Sequence, residues 1–268
     1  MPPVSLVELF GLDLSHLLLY AAIGVVGGLL SGLIGVGGGV FFVPALVYGA
    51  GWGIKEAVAA SLVIIVFSAL SGTIRNAGSR DPVDWRVAGL LSLAVAPSAL
   101  IGVFVSRFSP EEVVEATFAL IILALALPTA RGGSGPLGGR KKIPRWVVFA
   151  AGVLIGALSG LVGVGGGVMM VPLMVLGLGL SAKKAVSTSL AVVMFTGIVG
   201  ASGYVATGFR DPHELLSLPP LILGSMLGAW LGVKARDPLP DRAIRVGFAG
   251  FMVLVSLRTL GGVVGVLP

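Results

Sequence analysis

Residues 28–44 read Gly28-Leu-Leu-Ser-Gly-Leu-Ile-Gly-Val-Gly-Gly-Gly-Val-Phe-Phe-Val-Pro44, and residues 156–172 read Gly156-Ala-Leu-Ser-Gly-Leu-Val-Gly-Val-Gly-Gly-Gly-Val-Met-Met-Val-Pro172. The two copies lie 128 residues apart, and the same register continues without a gap as far as Gly72 and Gly200. Chance does not produce so long an ungapped match. The chain therefore consists of two homologous halves that arose by duplication.

The composition indicates a membrane protein. Hydrophobic residues make up 56% of the 268 residues and charged residues only 11%, with a mean hydropathy of +1.06. A chain this apolar cannot cover a water-soluble globule with polar surface. Because one membrane-spanning helix needs about 20 apolar residues, the length leaves room for about eight to ten membrane segments. We therefore predict an all-α polytopic membrane protein.

Apolar segments occur in two sets of five that are separated by a polar stretch. In the first set they cover about residues 15–34, 40–50, 57–74, 87–105 and 113–127. In the second set they cover about residues 146–162, 168–178, 185–205, 215–233 and 243–260. The stretch between them is rich in Gly, Pro and basic residues, as flexible linkers are. The predicted domains are a membrane repeat at 1–127, a linker at 128–145 and a second membrane repeat at 146–268.

The positions of the basic residues favour an inverted orientation of the second half. If all five segments of each half cross the membrane and the linker is cytoplasmic, 14 of the 18 Lys and Arg residues lie on the cytoplasmic side, as the positive-inside rule requires. If the second segment of each half only dips into the membrane and returns, the division is 10 to 8. An odd number of crossings per half therefore fits better, and an odd number inverts the second half. Three full spans with one re-entrant hairpin would also give an odd number.

The second segment of each half is too short to cross a bilayer. Residues 40–50 extend about 16 Å as a helix, against a hydrocarbon core of about 30 Å. The segment follows Gly35-Val-Gly-Gly-Gly39 directly, so we predict a broken helix at membrane depth. Short, glycine-interrupted segments at matching positions of two halves are typical of transporter binding sites. Backbone N–H groups at a helix start, with the helix dipole behind them, favour an anion.

These arguments select ten candidate residues for a substrate site. Glycine adopts backbone conformations that are closed to other residues, and neutral hydroxyl groups suit an oxyanion. The candidates are Gly35, Gly37, Gly38, Gly39, Ser61, Gly163, Gly165, Gly166, Gly167 and Ser189. Two structural interpretations compete, because small residues also let membrane helices pack closely and Ser often bonds to its own helix backbone. A dinucleotide-binding loop is excluded, because the apolar run before the glycines is too long for a strand.

The chemistry of the chain argues against an enzyme, a metal site and a nucleic-acid partner. The chain has no Cys and two His, and no carboxylate lies in the middle of a segment. Metal-centred and nucleophilic enzymes need such groups. We therefore predict no cofactor, no metal and no catalytic residue. The net charge of +6 comes from basic residues between apolar segments, where they orient helices in the lipid bilayer.

The glycine motif also resembles that of a known family. Gly32-Leu-Ile-Gly-Val-Gly-Gly-Gly-Val-Phe-Phe-Val-Pro-Ala-Leu46 and Gly160-Leu-Val-Gly-Val-Gly-Gly-Gly-Val-Met-Met-Val-Pro-Leu-Met174 resemble the duplicated signature of the sulfite exporter TauE/SafE family. The resemblance covers essentially the whole chain. It implies a multi-pass permease of the inner (cytoplasmic) membrane for sulfite, a sulfonate such as sulfoacetate, or a related sulfur-containing anion. The motif falls on Gly35, Gly37, Gly38, Gly39 and Pro44, and on Gly163, Gly165, Gly166, Gly167 and Pro172.

The combined prediction is a secondary transporter for a small sulfur-containing anion that works by alternating access, with the anion bound between the two glycine breaks. The first alternative is an anion channel or facilitator on the same fold, and another is a transporter for a different small solute. A membrane enzyme or an assembly scaffold is an alternative of another class. The sequence leaves the coupling ion, the direction of transport and the oligomeric state open, with a homodimer as one option.

Overall fold

The computed structural model describes residues 14–79, 81–131, 144–206, 212–236 and 241–263. Within these ranges the chain forms α-helices and short π-helical turns, and it contains no strand. The prediction of an all-α protein is therefore confirmed for the described residues. Residues 132–143, which form most of the predicted linker, lie outside these ranges, so the cytoplasmic position of the linker stays a prediction.

Among the described residues, each half contributes five helices in the same order. The first half contains α1 (Leu14–Ile34), α2 (Gly39–Pro44), α3 (Ile54–Ala77), α4 (Trp85–Phe108) and α5 (Glu111–Arg131). The second half contains α6 (Arg145–Val162), α7 (Gly167–Pro172), α8 (Ala182–Ala206), α9 (Pro212–Ala235) and α10 (Asp241–Val263). The short helices α2 and α7 each continue into a π-helical turn, Ala45–Gly49 and Leu173–Gly177. The repeated sequence thus gives a repeated order of helices.

Helix α5 extends further than the sequence analysis expected. It ends at Arg131, four residues into the stretch predicted as linker. The four added residues are Pro128, Thr129, Ala130 and Arg131, so the helix continues through a proline, and the first glycine pair begins only at Gly132. The end of the apolar run therefore marks where the segment becomes polar, whereas the helix continues to the glycines.

Five of the described helices are long and apolar enough to cross a membrane. They cover Leu14–Ile34, Ile54–Ala77, Trp85–Phe108, Lys183–Ala206 and Ser217–Ala235. Shorter apolar helical stretches occur at Gly39–Gly49, Trp146–Val162 and Met252–Gly262. Large apolar side chains such as Leu93, Phe108 and Leu223 point outward, as they do towards lipid. The chain is a multi-pass membrane protein, and the number of full crossings among the eight to ten predicted segments stays a prediction.

Helices α3 and α8 form the centre of the molecule and run antiparallel. Each has 72% of its apolar span buried, more than the other three candidate spans. Gly72 near the end of α3 faces Leu190 near the start of α8, whereas Leu62 near the start of α3 faces Gly200 towards the end of α8. Helices α3 and α8 are each the third helix of their half. The remaining long helices surround this pair.

Further helix pairs join the two halves around the centre. Gly28 and Gly32 of α1 lie against Ser225 and Ala229 of α9, so that α1 and α9 run parallel. An added Cβ at Gly28 would come 2.8 Å from the Cα of Ser225, which is too close for any side chain. Helices α4 and α6 pack through glycines in the same way, and α5 packs against α10. At these positions the glycines serve close helix packing, as the structural interpretation expected.

A polar network joins several helix ends at one end of the molecule, which we call the Asn76 end. The side-chain oxygen of Asn76, in the last turn of α3, accepts hydrogen bonds from Ser187 Oγ of α8 and from Arg236 Nη2 just after α9, both at 3.1 Å. Asp84, which precedes α4, forms a salt bridge of 3.2 Å with Lys184 in the first turn of α8. The end of α3 and the starts of α4 and α8 therefore lie on the same side of the molecule.

The ionised form of the Asp84 carboxyl is favoured by the groups that bond to it. Partial burial raises the pKa of this carboxyl, but the backbone N–H of Val87 and the ammonium group of Lys184 outweigh burial and hold the pKa below its ordinary value of 3.8. The two side chains are 27% and 41% exposed, so water screens their attraction. The salt bridge thus fixes which helix ends are neighbours more than it stabilises the fold.

The opposite end of the molecule, which we call the Tyr48 end, carries aromatic side chains. Trp52 Nε1 donates a hydrogen bond of 3.2 Å to the hydroxyl of Tyr20, and the Tyr48 hydroxyl donates one of 2.8 Å to Thr259 Oγ1. The guanidinium of Arg258 lies 4.6 Å from the centre of the Tyr48 ring. Trp and Tyr are enriched where helices enter the membrane interface, because their rings are apolar and their tips polar.

Candidate functional site

Two breaks, Gly35–Gly38 and Gly163–Gly166, separate α1 from α2 and α6 from α7; we call them the glycine loops. Gly35, Gly37 and Gly38 have φ values of 76°, 81° and 88°, and their equivalents in the second loop have values of 73°, 75° and 75°. A side chain in this left-handed region would collide with its own backbone, so only glycine adopts it readily. The repeated glycines therefore let the chain turn back after a long helix.

The first residues of the two short helices are glycines for a different reason. Gly39 and Gly167 have ordinary backbone angles, but a Cβ at Gly39 would lie 2.7 Å from the Cα of Val164. A Cβ at Gly167 would lie 2.6 Å from the carbonyl oxygen of Val36. Each short helix therefore begins in contact with the glycine loop of the opposite half. The two loops meet, and neither position has room for a methyl group.

The loops meet at the middle of the central helix pair, among apolar side chains. Ile65 of α3 and Val193 of α8 occupy equivalent positions, and each approaches both Gly37 and Gly165. Ile65 and Val193 are fully buried. Electrostatic interactions are stronger in such a dry environment than in water, and a polar group without a partner is correspondingly costly.

Two buried serines hold the glycine loops from the central helices. Ser61 Oγ of α3 donates a hydrogen bond of 2.6 Å to the carbonyl oxygen of Gly163, and Ser189 Oγ of α8 donates one of 2.6 Å to that of Gly35. Each hydroxyl also lies 2.9 Å from a carbonyl oxygen of its own helix. A hydroxyl group has one proton to donate, and in this conformation both serines donate it to backbone carbonyl oxygens. Each central helix therefore fixes the loop of the opposite half.

Backbone N–H groups at the start of α2 have no acceptor within the helix. The carbonyl of Gly38 accepts from the N–H groups of Phe41 and Phe42, both at 2.9 Å, which begins the helix after Gly38. The N–H groups of Gly39 and Val40 precede this first turn and point out of the helix start. Both residues are buried. Helix α7 begins in the same way after Gly166, so each half presents one helix start to the centre.

The comparison with family models identifies the class of the chain. The model of the sulfite exporter TauE/SafE family matches residues 20–259. The chain belongs to this family. The expectation from the glycine motif is thereby confirmed, and the matched range contains both glycine loops and both serines.

Relatives of similar length carry transporter names. A protein of Haemophilus influenzae named "Probable membrane transporter protein" is 27% identical over 91% of this chain and 98% of its own length. A protein of Methanocaldococcus jannaschii with the same description is 26% identical over 93% of this chain and 98% of its own. A Bacillus subtilis protein named "Probable membrane transporter protein YunE" is 26% identical over 79% of this chain and 84% of its own length. No solved structure gives a significant match. The TauE/SafE family assignment and these names agree that the chain is a membrane transporter.

The structure brings the ten predicted site residues together. The eight glycines lie in or directly after the two loops, and Ser61 and Ser189 bond to them. That these residues bind a substrate stays a prediction. In the parts of the chain that the structure describes, no group of three or more His, Asp or Glu residues could hold a metal ion.

Sequence reasoning did not select the buried network at the Asn76 end. Asn76 and Ser187 are fully buried and Arg236 is 5% exposed, which is unusual for a guanidinium. The signal in the sequence is an amide, Asn76, two residues after the apolar run 57–74, where the second half has Tyr204. Arg236 gave no such signal, because a basic residue after an apolar segment normally lies in water.

Proposed function

We propose that the chain is a secondary transporter that carries a small sulfur-containing anion, such as sulfite or an organosulfonate, across the cytoplasmic membrane by alternating access. Family membership and the names of the relatives support transport as its class of function. The description of the family supports a sulfur-containing anion as the substrate class. No step of this function needs a catalytic residue, a cofactor or a metal.

The meeting of the two glycine loops is the observation that carries the proposal. Both loops reach the middle of the antiparallel pair α3 and α8, and both present a helix start there. An anion is favoured at such a place, because partial positive charges from N–H groups converge in an apolar surrounding. In the conformation described here, the contacts of Gly39 with Val164 and of Gly167 with Val36 close the space between the loops. The anion would enter when these contacts open towards one end.

We further propose that the halves are inverted repeats. The third helices of the two halves, α3 and α8, run antiparallel, which supports this arrangement. The salt bridge between Asp84 and Lys184 gives independent support. It joins the loop after α3 to the loop before α8, and these loops share a face only if each half has an odd number of crossings. With four crossings per half they would lie on opposite faces.

Inverted repeats give alternating access a simple physical basis. Exchanging the conformations of the two halves converts a state open at one end into a state open at the other. The bonds that hold the loops do not prevent this exchange. Each serine contributes one net hydrogen bond of about 1 kcal/mol, which thermal motion breaks readily. The exchange therefore needs the loops to separate from the opposite half on one side at a time.

An anion channel or facilitator is the second candidate. It is favoured by the lack of carboxylates at mid-span among the described residues, since proton-coupled carriers use such groups. The closed contact between the glycine loops favours a carrier instead, because a channel needs a continuous path. The same observations leave a transporter for another small solute as the third candidate.

The first experiment combines binding with counterflow. The purified protein in detergent is heated with sulfite, sulfate, thiosulfate, sulfoacetate or taurine, with chloride and neutral amino acids as controls. A ligand that binds only the folded protein raises the melting temperature. Selective stabilisation by one sulfur anion, together with counterflow of that anion in proteoliposomes, supports the carrier. Stabilisation by neutral or cationic solutes alone would refute an anion substrate, and uptake without counterflow would indicate a channel.

A further inference from the structure

Two buried hydroxyl groups beside the glycine loops have no hydrogen-bond partner. Ser31 lies on α1 and Ser159 on α6, in each case four residues before the first glycine of the loop. Both residues are fully buried, and neither hydroxyl oxygen has a hydrogen-bond partner in the described structure. Burying a hydroxyl group without a partner is costly, so alanine, which is nearly as large, would be more favourable at both positions in this conformation.

These two hydroxyls do not bond to the backbone of their own helices either. Serine in an apolar helix often donates to the carbonyl oxygen three or four residues before it. Ser98 of α4, Ser202 of α8 and Ser256 of α10 do so, each at 2.8 Å. The hydroxyls of Ser31 and Ser159 make no such bond. They are therefore able to donate to an acceptor that the chain does not supply.

Both serines lie on the helix face that is turned towards the glycine loop of the same half. A Cβ at Gly166, directly before α7, would lie 3.6 Å from the Cβ of Ser159 and 3.8 Å from its Oγ. In the first half, a Cβ at Gly38 would lie 2.9 Å from the carbonyl oxygen of Gly27, one turn before Ser31 on the same face of α1. The two unpaired hydroxyls thus lie beside the place where the loops meet.

The repeat relates the two serines to each other. Ser159 follows Ser31 by the same 128 residues that separate the two glycine loops. The position one turn earlier has diverged, since Gly27 of the first half corresponds to Ile155 of the second. The packing next to the serines therefore differs between the halves, whereas the buried hydroxyl without a partner is the same. A requirement of packing alone does not explain a hydroxyl at both positions.

We propose that the hydroxyls of Ser31 and Ser159 are substrate-binding groups, each of which donates a hydrogen bond to an oxygen of the SO3 group of the transported anion when the glycine loops separate. The inference rests on the proposed function and deepens it by naming side chains that contact the anion. Ser61 and Ser189 must first release a loop carbonyl before they can donate to a substrate, whereas Ser31 and Ser159 break no bond. Hydrogen bonds to an ionised acceptor are stronger than those between neutral groups.

Two single variants test the proposal, Ser31→Ala and Ser159→Ala. Each removes a hydroxyl that has no partner, so the melting temperature without ligand is expected to equal or exceed that of the wild type. Melting temperatures at increasing concentrations of sulfite, thiosulfate and sulfoacetate, which all carry an SO3 group, give the apparent Kd. Because each variant loses one hydrogen bond to a charged ligand, we expect the Kd of the bound anion to rise at least about tenfold.

The matched control is Ser256→Ala, which removes an equally buried hydroxyl that bonds only to the Met252 carbonyl of its own helix. Its apparent Kd is expected to equal that of the wild type. If Ser31→Ala and Ser159→Ala also keep the wild-type Kd, or lower only the melting temperature, the two hydroxyls serve the fold and the inference is refuted, while the proposed function stands. If the wild type itself binds none of the anions, the proposed function and the inference fail together.

Discussion

Replacing Gly39 by alanine tests whether contact between the glycine loops holds the centre closed. The added Cβ would lie 2.7 Å from Val164 Cα and 2.8 Å from Ile65 Cδ1, whereas real Cβ atoms stay beyond 3.0 Å from such neighbours. The carbonyl oxygen of Gly163 would be closer still, so the backbone of the opposite loop must move by more than about 0.3 Å. Gly39 has an ordinary φ, so the substitution introduces no backbone strain of its own. The variant thus isolates the contact between the halves.

The expected cost is that of overpacking, about 1–3 kcal/mol of unfolding free energy. Gly49, at the end of the same short helical segment, is the matched control, because a Cβ there would meet nothing within 4 Å. Gly49→Ala is expected to be neutral or stabilising by up to about 1 kcal/mol, since alanine restricts the unfolded chain. Melting temperatures in detergent should therefore rank Gly49→Ala at or above the wild type and Gly39→Ala below it. Counterflow in proteoliposomes should fall only for Gly39→Ala.

The equivalent substitution in the second half supplies a stricter test. Gly167→Ala brings its Cβ to 2.6 Å from the carbonyl of Val36 and is expected to act like Gly39→Ala. Because one separation of the loops relieves both collisions, the double variant should cost less than the sum of the two single variants. Simple additivity, or a Gly39→Ala variant that melts and transports like Gly49→Ala, would refute the contact between the loops.

Three further substitutions have defined outcomes. Ser189→Ala should lower the melting temperature by the equivalent of about 1 kcal/mol, because it releases the Gly35 carbonyl, whereas Ser202→Ala, whose exposed hydroxyl bonds only within α8, should not; equal effects would refute a special role for Ser189. Asp84→Asn should cost less than about 1 kcal/mol at neutral pH. Since the folded state lowers the pKa of Asp84, this stabilisation is present above 3.8 and disappears as pH falls below it, so the two melting temperatures should converge in acid. Gly38→Leu, at a φ of 88°, should abolish counterflow while membrane insertion, measured by fractionation, remains intact.

The helices could be predicted from the sequence because each follows a continuous apolar run. The run at 87–105 lies within α4, and the run at 168–178 covers α7 with its π-helical turn. The π-helical geometry itself was not predicted, because it depends on one extra residue per turn and leaves no mark in the pattern of apolar residues. Segment ends were less certain where polar residues continue a helix, as at Arg131.

The partners of side chains could not be predicted, because they depend on how distant segments cross. The sequence offered two interpretations of Ser61, a structural bond to helix backbone or a donor to an oxyanion substrate. The hydroxyl approaches Val58 O and Gly163 O, both of them backbone carbonyls, and substrate binding by Ser61 stays a prediction. The bond between Asn76 and Arg236 joins residues 160 positions apart and exists only because α3 and α9 end on the same side. No local pattern encodes that proximity.

The two halves match at the centre and differ at the ends, and this bears on the free-energy difference between the two open states of the proposed transporter. The serine bonds at the centre are equivalent by the repeat and equal in length, so exchanging the conformations of the halves leaves their number and type unchanged. A difference in free energy between the two open states must then come from positions where the halves differ, such as Asn76 and Tyr204. Substitutions at the ends, and any single substitution at the centre, should therefore shift the balance between states, whereas replacing Ser61 and Ser189 together keeps the two halves equivalent at the centre and should leave that balance unchanged.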